Sequence, residues 1–352
     1  MRSKATGDAR GGRVPTVLLS AIVISGLACG SRGKPARGAV GGGIAAAVTA
    51  GLEAAATERA PWRCAALDWL VPAGATTMQA GGRGWAVDGR TARRTAVAGK
   101  PKPVRIAFVA DAEAPTPDTL GVLRALRDKL AKLDVDAIVA LGGMGGTEAD
   151  LAGVLGALAD GSVLVLAIPG DREPAAGHRA AVAALAGRGV LDGAVVRWLV
   201  VDGVGVATLP GQPAVTRLAH GVEGCGHADA DATAVLAAGP DGVRVAILAS
   251  QRAPRHADGG DRSAIGAAAG DAGLATAIAA AGEPGVDVIV HAALDGAPAR
   301  AGTLAPAPRP VALATGVASA SPRLDGKGRR VTPAALVVTI DGNRVAWQPI
   351  PL

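Results

Sequence analysis

Short apolar runs alternate with segments of helical spacing, most regularly between positions 104 and 173. Val104–Ala110 ends at Asp111-Ala112-Glu113. Ala137–Leu141 ends at Gly142-Gly143, and Val163–Ile168 ends at Pro169-Gly170-Asp171-Arg172-Glu173. Apolar runs bounded by turn residues predict strands buried on both faces. Between them Leu120, Leu123, Leu126 and Leu130 predict a helix over about Thr119–Leu133, behind Pro115 and Pro117. Leu151, Val154, Leu155 and Leu158 mark a second over Glu148–Ala159, and a third is expected over Glu173–Gly187. Strand–helix–strand alternation implies right-handed crossovers and a parallel sheet. The C-terminal strand ends of such a sheet gather on one edge, where chemistry is expected.

The pattern then changes. Val195–Val201 and Val204–Leu209 flank Asp202-Gly203, a two-residue hairpin signal. After the irregular Pro210–His227 come a short helix near Ala230–Ala238, a strand at Val243–Ala249 and a Gly/Asp-rich loop. Helix Ala272–Ala281 and strands Val286–His291 and Val311–Ala314 follow. A second hairpin, Ala334–Ile340 with Arg344–Gln348, ends the chain. Parallel units followed by hairpins predict an α/β fold of two facing mixed sheets with helices outside.

The N-terminal third reads differently. Arg2, Lys4, Arg10 and Arg13 precede the apolar run Val14–Ala28, the pattern of a secretory signal. Gly26-Leu27-Ala28-Cys29 resembles the lipobox of bacterial lipoproteins, with Gly26 where Leu is usual. That resemblance implies a lipidated Cys29, secretion across the inner membrane and a lipid anchor in the bacterial cell envelope. Residues 30–103 are expected to hold a Gly/Ser/Arg/Pro-rich tether, an Ala-rich helix at Ile44–Ala56 and a small Trp-containing hairpin region packed on the main domain. The main domain is expected at 104–352. Cys64 and Cys225 can pair in an oxidising compartment; neither has a second cysteine at metal-ligand spacing.

Composition narrows the function. Apolar residues make up 49% and charged residues 19%, the balance of a globular chain. Phe108 is the sole phenylalanine and tyrosine is absent, so the core must be built from Val, Leu, Ile and Ala. The net charge of +6 is spread along the chain, without the dense basic face and stacking aromatics that nucleic-acid binding needs. The glycines at 142–146 match neither a P-loop nor a dinucleotide fingerprint.

The order of elements and the three turns resemble the calcineurin-like metallophosphoesterases. That family has a four-layer α/β/β/α sandwich and hydrolyses phosphate esters with two metal ions. Its pattern is Asp-x-His, Gly-Asp, Gly-Asn-His-Asp/Glu, a strand-end His and Gly-His-x-His. Here Asp111-Ala-Glu113, Gly142-Gly143, Gly170-Asp171-Arg172-Glu173, Ser250-Gln251 and His291-Ala292-Ala293 stand at those places. Two metals about 3.5–4 Å apart need a bridging carboxylate, and Gly143 stands there without a side chain.

The resemblance leaves Asp111, Glu113, Asp171 and His291 as metal ligands for one divalent ion (Mn, Fe, Zn or Mg), or for none. Arg172 and His291 are left as the catalytic candidates. Each residue also has a plain structural reading. Asp111 can cap the turn that follows it, Asp171 can cap the helix from Arg172 onward, Arg172 can pair with Asp111 or Glu113, and His291 can be a hydrogen-bonded core residue. His220 and His227 flank Cys225 in a loop and offer a weak transition-metal alternative. The sequence thus favours a metallophosphoesterase-like scaffold with a degraded site, used for binding or structure. A metal-dependent phosphoesterase and an unrelated periplasmic α/β binding protein are the alternatives. The partners expected are a membrane through Cys29 and a phosphate ester ligand.

Overall fold

The computed structural model describes residues 63–65, 74–96, 102–213, 224–255, 270–281, 285–292, 301–303, 311–321, 324 and 330–352. The expected signal segment with Cys29, the tether, the helix at Ile44–Ala56, Trp62, Trp69 and His220 lie outside these residues.

The described chain begins its sheets with Thr76–Ala80 (β1), Arg83–Asp88 (β2) and Thr91–Arg94 (β3). Then come Val104–Val109 (β4), Pro117–Lys132 (α1), Ala137–Leu141 (β5), Glu148–Leu158 (α2), Leu164–Ile168 (β6), Ala175–Leu185 (α3) and Val190–Asp192 (β7). Trp198–Val201 (β8), Val204–Leu209 (β9), Gln212–Pro213 (β10), Gly226–His227 (β11), Asp229–Ala237 (α4) and Val245–Ser250 (β12) follow. Ala272–Ala280 (α5), Val288–His291 (β13), Ala301–Thr303 (β14), Val311–Ala314 (β15), Ala334–Asp341 (β16) and Arg344–Pro351 (β17) complete it.

Two mixed sheets result. One has the order β17-β16-β4-β5-β6-β7, with β4 to β7 parallel and the C-terminal hairpin antiparallel beside β4. The other runs β1-β2-β3-β8-β9-β12-β13-β15-β14, with β9, β12, β13 and β15 parallel. The residues expected as a packed N-terminal hairpin extend this second sheet, because β3 pairs with β8.

Side-chain alternation decides the layering. Ile106 and Phe108 of β4 enter a core shared with Leu199, Val206, Ile247 and Val290 of the other sheet. Their neighbours Ala107 and Val109 pack with Leu123, Leu126 and Leu130 of α1 and Leu151 and Leu155 of α2. On the far side, Leu248 and Ile289 pack with Val235 of α4 and Leu274 of α5. Three cores separate four layers, so the described residues form an α/β/β/α sandwich.

Local chemistry sets several boundaries. Thr116 caps α1 through the Thr119 amide with Pro117 in its first turn, so this helix starts before the leucine stripe that marks it. α3 starts at Ala175 behind Pro174, two residues later than its apolar pattern suggests. Asp202 (φ 47°) and Gly203 (φ 82°) make the tight turn between β8 and β9. Buried Arg94 joins Asp136 and Asp202, tying β3 to loops of both sheets at the edge where the parallel strands begin.

Candidate functional site

The C-terminal strand ends of both sheets meet at one edge. Asp111 (φ 53°) and Glu113 (φ 63°) are left-handed, a conformation uncommon outside glycine. It aims the amides of the first turn at the second. The Asp111 N–H donates to Gly142 O at 3.1 Å and the Glu113 N–H to Gly143 O at 2.7 Å. The second and third turns share one buried carboxylate. Glu173 Oε1 accepts from the Met144 N–H at 2.6 Å and Oε2 from the Gly170 N–H at 2.8 Å. Burial pushes the Glu173 carboxyl above its ordinary value, against the pull of those amides and of His178. Glu173 occupies the Asp/Glu place of the third motif, a signal from which this tying role could have been read.

Three glycines are filled from outside. A Cβ on Gly143 would stand 2.9 Å from Asp111 Cα and against the Asp111 carboxylate, on a backbone with φ +68°. The space beside Gly143 is therefore taken up by Asp111 itself. A Cβ on Gly170 would meet Gln251 Oε1 at 2.7 Å and Nε2 at 2.8 Å, and one on Gly142 would meet Gln251 Cδ at 3.3 Å. Gln251, one residue past β12, thus lies across the second and third turns. Its oxygen accepts from the Asp171 N–H at 3.0 Å and its amide donates to Asp171 Oδ1 at 3.0 Å.

The remaining candidates have separate engagements. Asp171 does not cap α3, whose N-cap is Pro174 without a side-chain bond. Arg172 extends into solvent and lies 3.7 Å from Glu113 Oε1, the salt bridge that was one of its expected readings. Exposed as it is, that pair contributes little stability. His291 is buried, and its Nδ1 lies 2.8 Å from Ala292 O.

The metal alternative around Cys225 is corrected, because Cys225 forms a disulfide with Cys64 at a Cα separation of 5.5 Å. His227 instead places Nε2 2.9 Å from Asp271 Oδ2 and Nδ1 3.2 Å from Pro210 O. Burial raises the Asp271 carboxyl, but the His227 hydrogen bond and charge outweigh this and hold it below its ordinary value. Gln251 stood in the sequence only at the place of the strand-end His, and Asp271 did not stand out at all.

At this edge Gly143 offers no carboxylate to bridge two metal ions. Asp111, Glu113, Asp171 and His291 are the expected ligands; among the described residues no group of three or more His, Cys, Asp or Glu side chains that could hold a metal ion is present. Asp111 packs on Gly143, Asp171 pairs with Gln251 and Glu113 faces Arg172. A cavity of about 400 Å³ lies elsewhere, between α4, α5 and the outer face of the nine-stranded sheet. Trp198, Leu236, Val243, Ala277 and Val286 are among its walls, all from the layer opposite the three turns. The polar side chains converge at the strand ends and not in that apolar cleft.

No family model and no curated protein sequence matches the chain. Among solved structures, one chain is matched along its whole length, covering 71% of this chain at 11% identity with a TM-score of 0.50. A dimetal phosphatase from Danio rerio is matched over 96% of its length and 70% of this chain, at 10% identity and a TM-score of 0.49. A purple acid phosphatase from yellow lupin (Lupinus luteus) seeds is matched over 53% of its length and 73% of this chain, at 9% identity and a TM-score of 0.48. What the chain shares with the first of these is a fold.

Proposed function

We propose that this chain is a metallophosphoesterase-like protein of the bacterial envelope, anchored through Cys29, whose strand-end edge serves binding or structure and not phosphoester hydrolysis. One observation carries the reading. The space a bridging carboxylate would need at position 143 is held by Asp111, on a left-handed glycine backbone. Gln251 adds to it by taking up Asp171, a carboxylate the reaction would need as a ligand. Two-metal hydrolysis depends on a dense ligand set around both ions, and these contacts use up that set from within. The solvent-facing guanidinium of Arg172 leaves the rim able to meet an anionic group such as a phosphate ester.

The test is hydrolysis of an aryl phosphate ester by the purified protein with added Mn²⁺, beside Asp111→Ala. The reading expects the same background rate from both. Turnover by the natural protein that Asp111→Ala abolishes contradicts it.

A further inference from the structure

Residues 63–65 form a short strap ahead of β1. Ala65 packs with Trp198 and Leu209 of the nine-stranded sheet and with Val235 of α4. The buried Arg197 guanidinium donates through Nη1 to Ala65 O at 2.9 Å and to Cys64 O at 3.4 Å. Arg63 pairs with Asp231 of α4 at 2.8 Å, but its side chain is 46% exposed. Such a pair holds weakly, and Ala65 buries only a methyl group. The disulfide from Cys64 to Cys225, 161 residues away, is the covalent hold on the strap. Cys225 also backs the third turn. Its N–H donates to Gly170 O at 2.9 Å, and its carbonyl accepts from the Gln212 N–H at 3.3 Å. Gly211 donates to Pro169 O at 2.8 Å, and a Cβ added to it would stand 2.5 Å from Cys225 Sγ. A Cβ on Gly224 would stand 1.8 Å from the Asp171 carbonyl oxygen. The β10–β11 ladder is thus wedged between the disulfide and the turn that carries Asp171 and Arg172.

We propose that Cys64 and Cys225 form a redox-sensitive latch that sets how firmly the third turn is held. In the disulfide form the strap stays on Arg197 and the ladder stays seated behind Gly170. In the thiol form the strap lifts, the ladder loosens, and the turn loses its backing. Reduction is a two-electron exchange with an external dithiol. One thiolate of the dithiol attacks one protein sulfur, and the other protein sulfur leaves and takes up a proton. The second thiolate of the dithiol then closes its own disulfide and releases the attacked cysteine. Oxidation by a disulfide reverses these steps. Both cysteines are buried, so the sulfurs meet a reagent only when the strap lifts. The latch lies behind the turn and operates whether or not the rim meets an anion, so it stands apart from the function proposed above.

The experiment equilibrates the natural full-length protein with reduced and oxidised dithiothreitol, without denaturant. Thiols are counted by alkylation and mass, and hydrogen exchange is read at the Gly211, Cys225 and Asp171 amides, with the β5 amides as reference. In the thiol form the three amides are expected to exchange at least about tenfold faster than in the disulfide form, with β5 unchanged. Reoxidation should restore slow exchange. The double variant Cys64→Ser, Cys225→Ser should exchange as the thiol form does in either buffer. If that variant does not fold, the thiol form of the natural protein carries the same comparison. Equal rates in the two forms overturn the latch. So does a rise at β5 as large as that at Asp171, which assigns the disulfide to global stability alone. A disulfide that dithiothreitol reduces only in denaturant overturns it as well.

Discussion

Gln251 and Asp171 exchange two hydrogen bonds of 3.0 Å, one at the Asp171 amide and one at its carboxylate, across the gap between the two sheets. Gln251 also packs on Gly142 and Gly170, positions where a side chain would collide with it. Gln251→Ala should therefore leave the Asp171 N–H buried without its acceptor and open a void beside two glycines. The expected loss is about 1–3 kcal/mol in urea unfolding, with no gain in phosphoesterase activity. A neutral effect would mean that the two turns hold each other without it.

Restoring the bridging residue should not restore a site. In Gly143→Asp the new side chain must adopt φ +68° and displace Asp111. Gly82, in the turn between β1 and β2, has φ +69° and nothing within 4 Å of the added carbon. Gly82→Asp thus measures the backbone cost alone, about 1 kcal/mol or somewhat more. Gly143→Asp should lose clearly more than this control in the same thermal unfolding assay. Equal losses would show that Asp111 yields easily.

The buried pair of His227 and Asp271 gives a pH signature. The folded Asp271 carboxyl lies below its ordinary value of 3.8. A depressed carboxyl contributes stability above the unfolded value, and that contribution is lost as pH falls through the folded value. Asparagine still caps α5, which Asp271 does by accepting from the Leu274 N–H at 3.0 Å. Asp271→Asn should cost about 1–3 kcal/mol at neutral pH, and the difference from the natural protein should shrink as pH drops below 3.8. A difference that stays constant with pH would assign the loss to packing.

The disulfide between Cys64 and Cys225 spans 161 residues and sits behind the third turn, where the Cys225 N–H donates to Gly170 O at 2.9 Å. Replacing both cysteines with alanine should cost about 2–5 kcal/mol. It should also speed hydrogen exchange at the Cys225 amide more than at β5. Uniform protection across both would separate the disulfide from the site edge.

The layered fold was legible because its information is local. Strands such as Ala137–Leu141 and stripes such as Leu123-Leu126-Leu130 carry their own periodicity, and alternation sorts each strand between two cores. Addition of β1 to β3 to the nine-stranded sheet was not legible, since the parallel pairing of β3 with β8 joins segments about a hundred residues apart. At the site, Gly143 and Arg172 announced a missing ligand and a changed charge. What replaced them was hidden, because Gln251 stood in the pattern only as a substituted His and Asp271 belongs to no turn motif. They matter only through contacts with Gly142, Gly170, Asp171 and His227 that the chain forms at long range.

The claim that this edge is closed to a two-metal centre is tested most directly by calorimetric titration of the metal-stripped protein with Mn²⁺, alongside elemental analysis of the protein as purified. The account predicts no stoichiometric heat and no metal retained in proportion to protein. Two ions bound per chain, with both lost in Asp111→Ala, would contradict it.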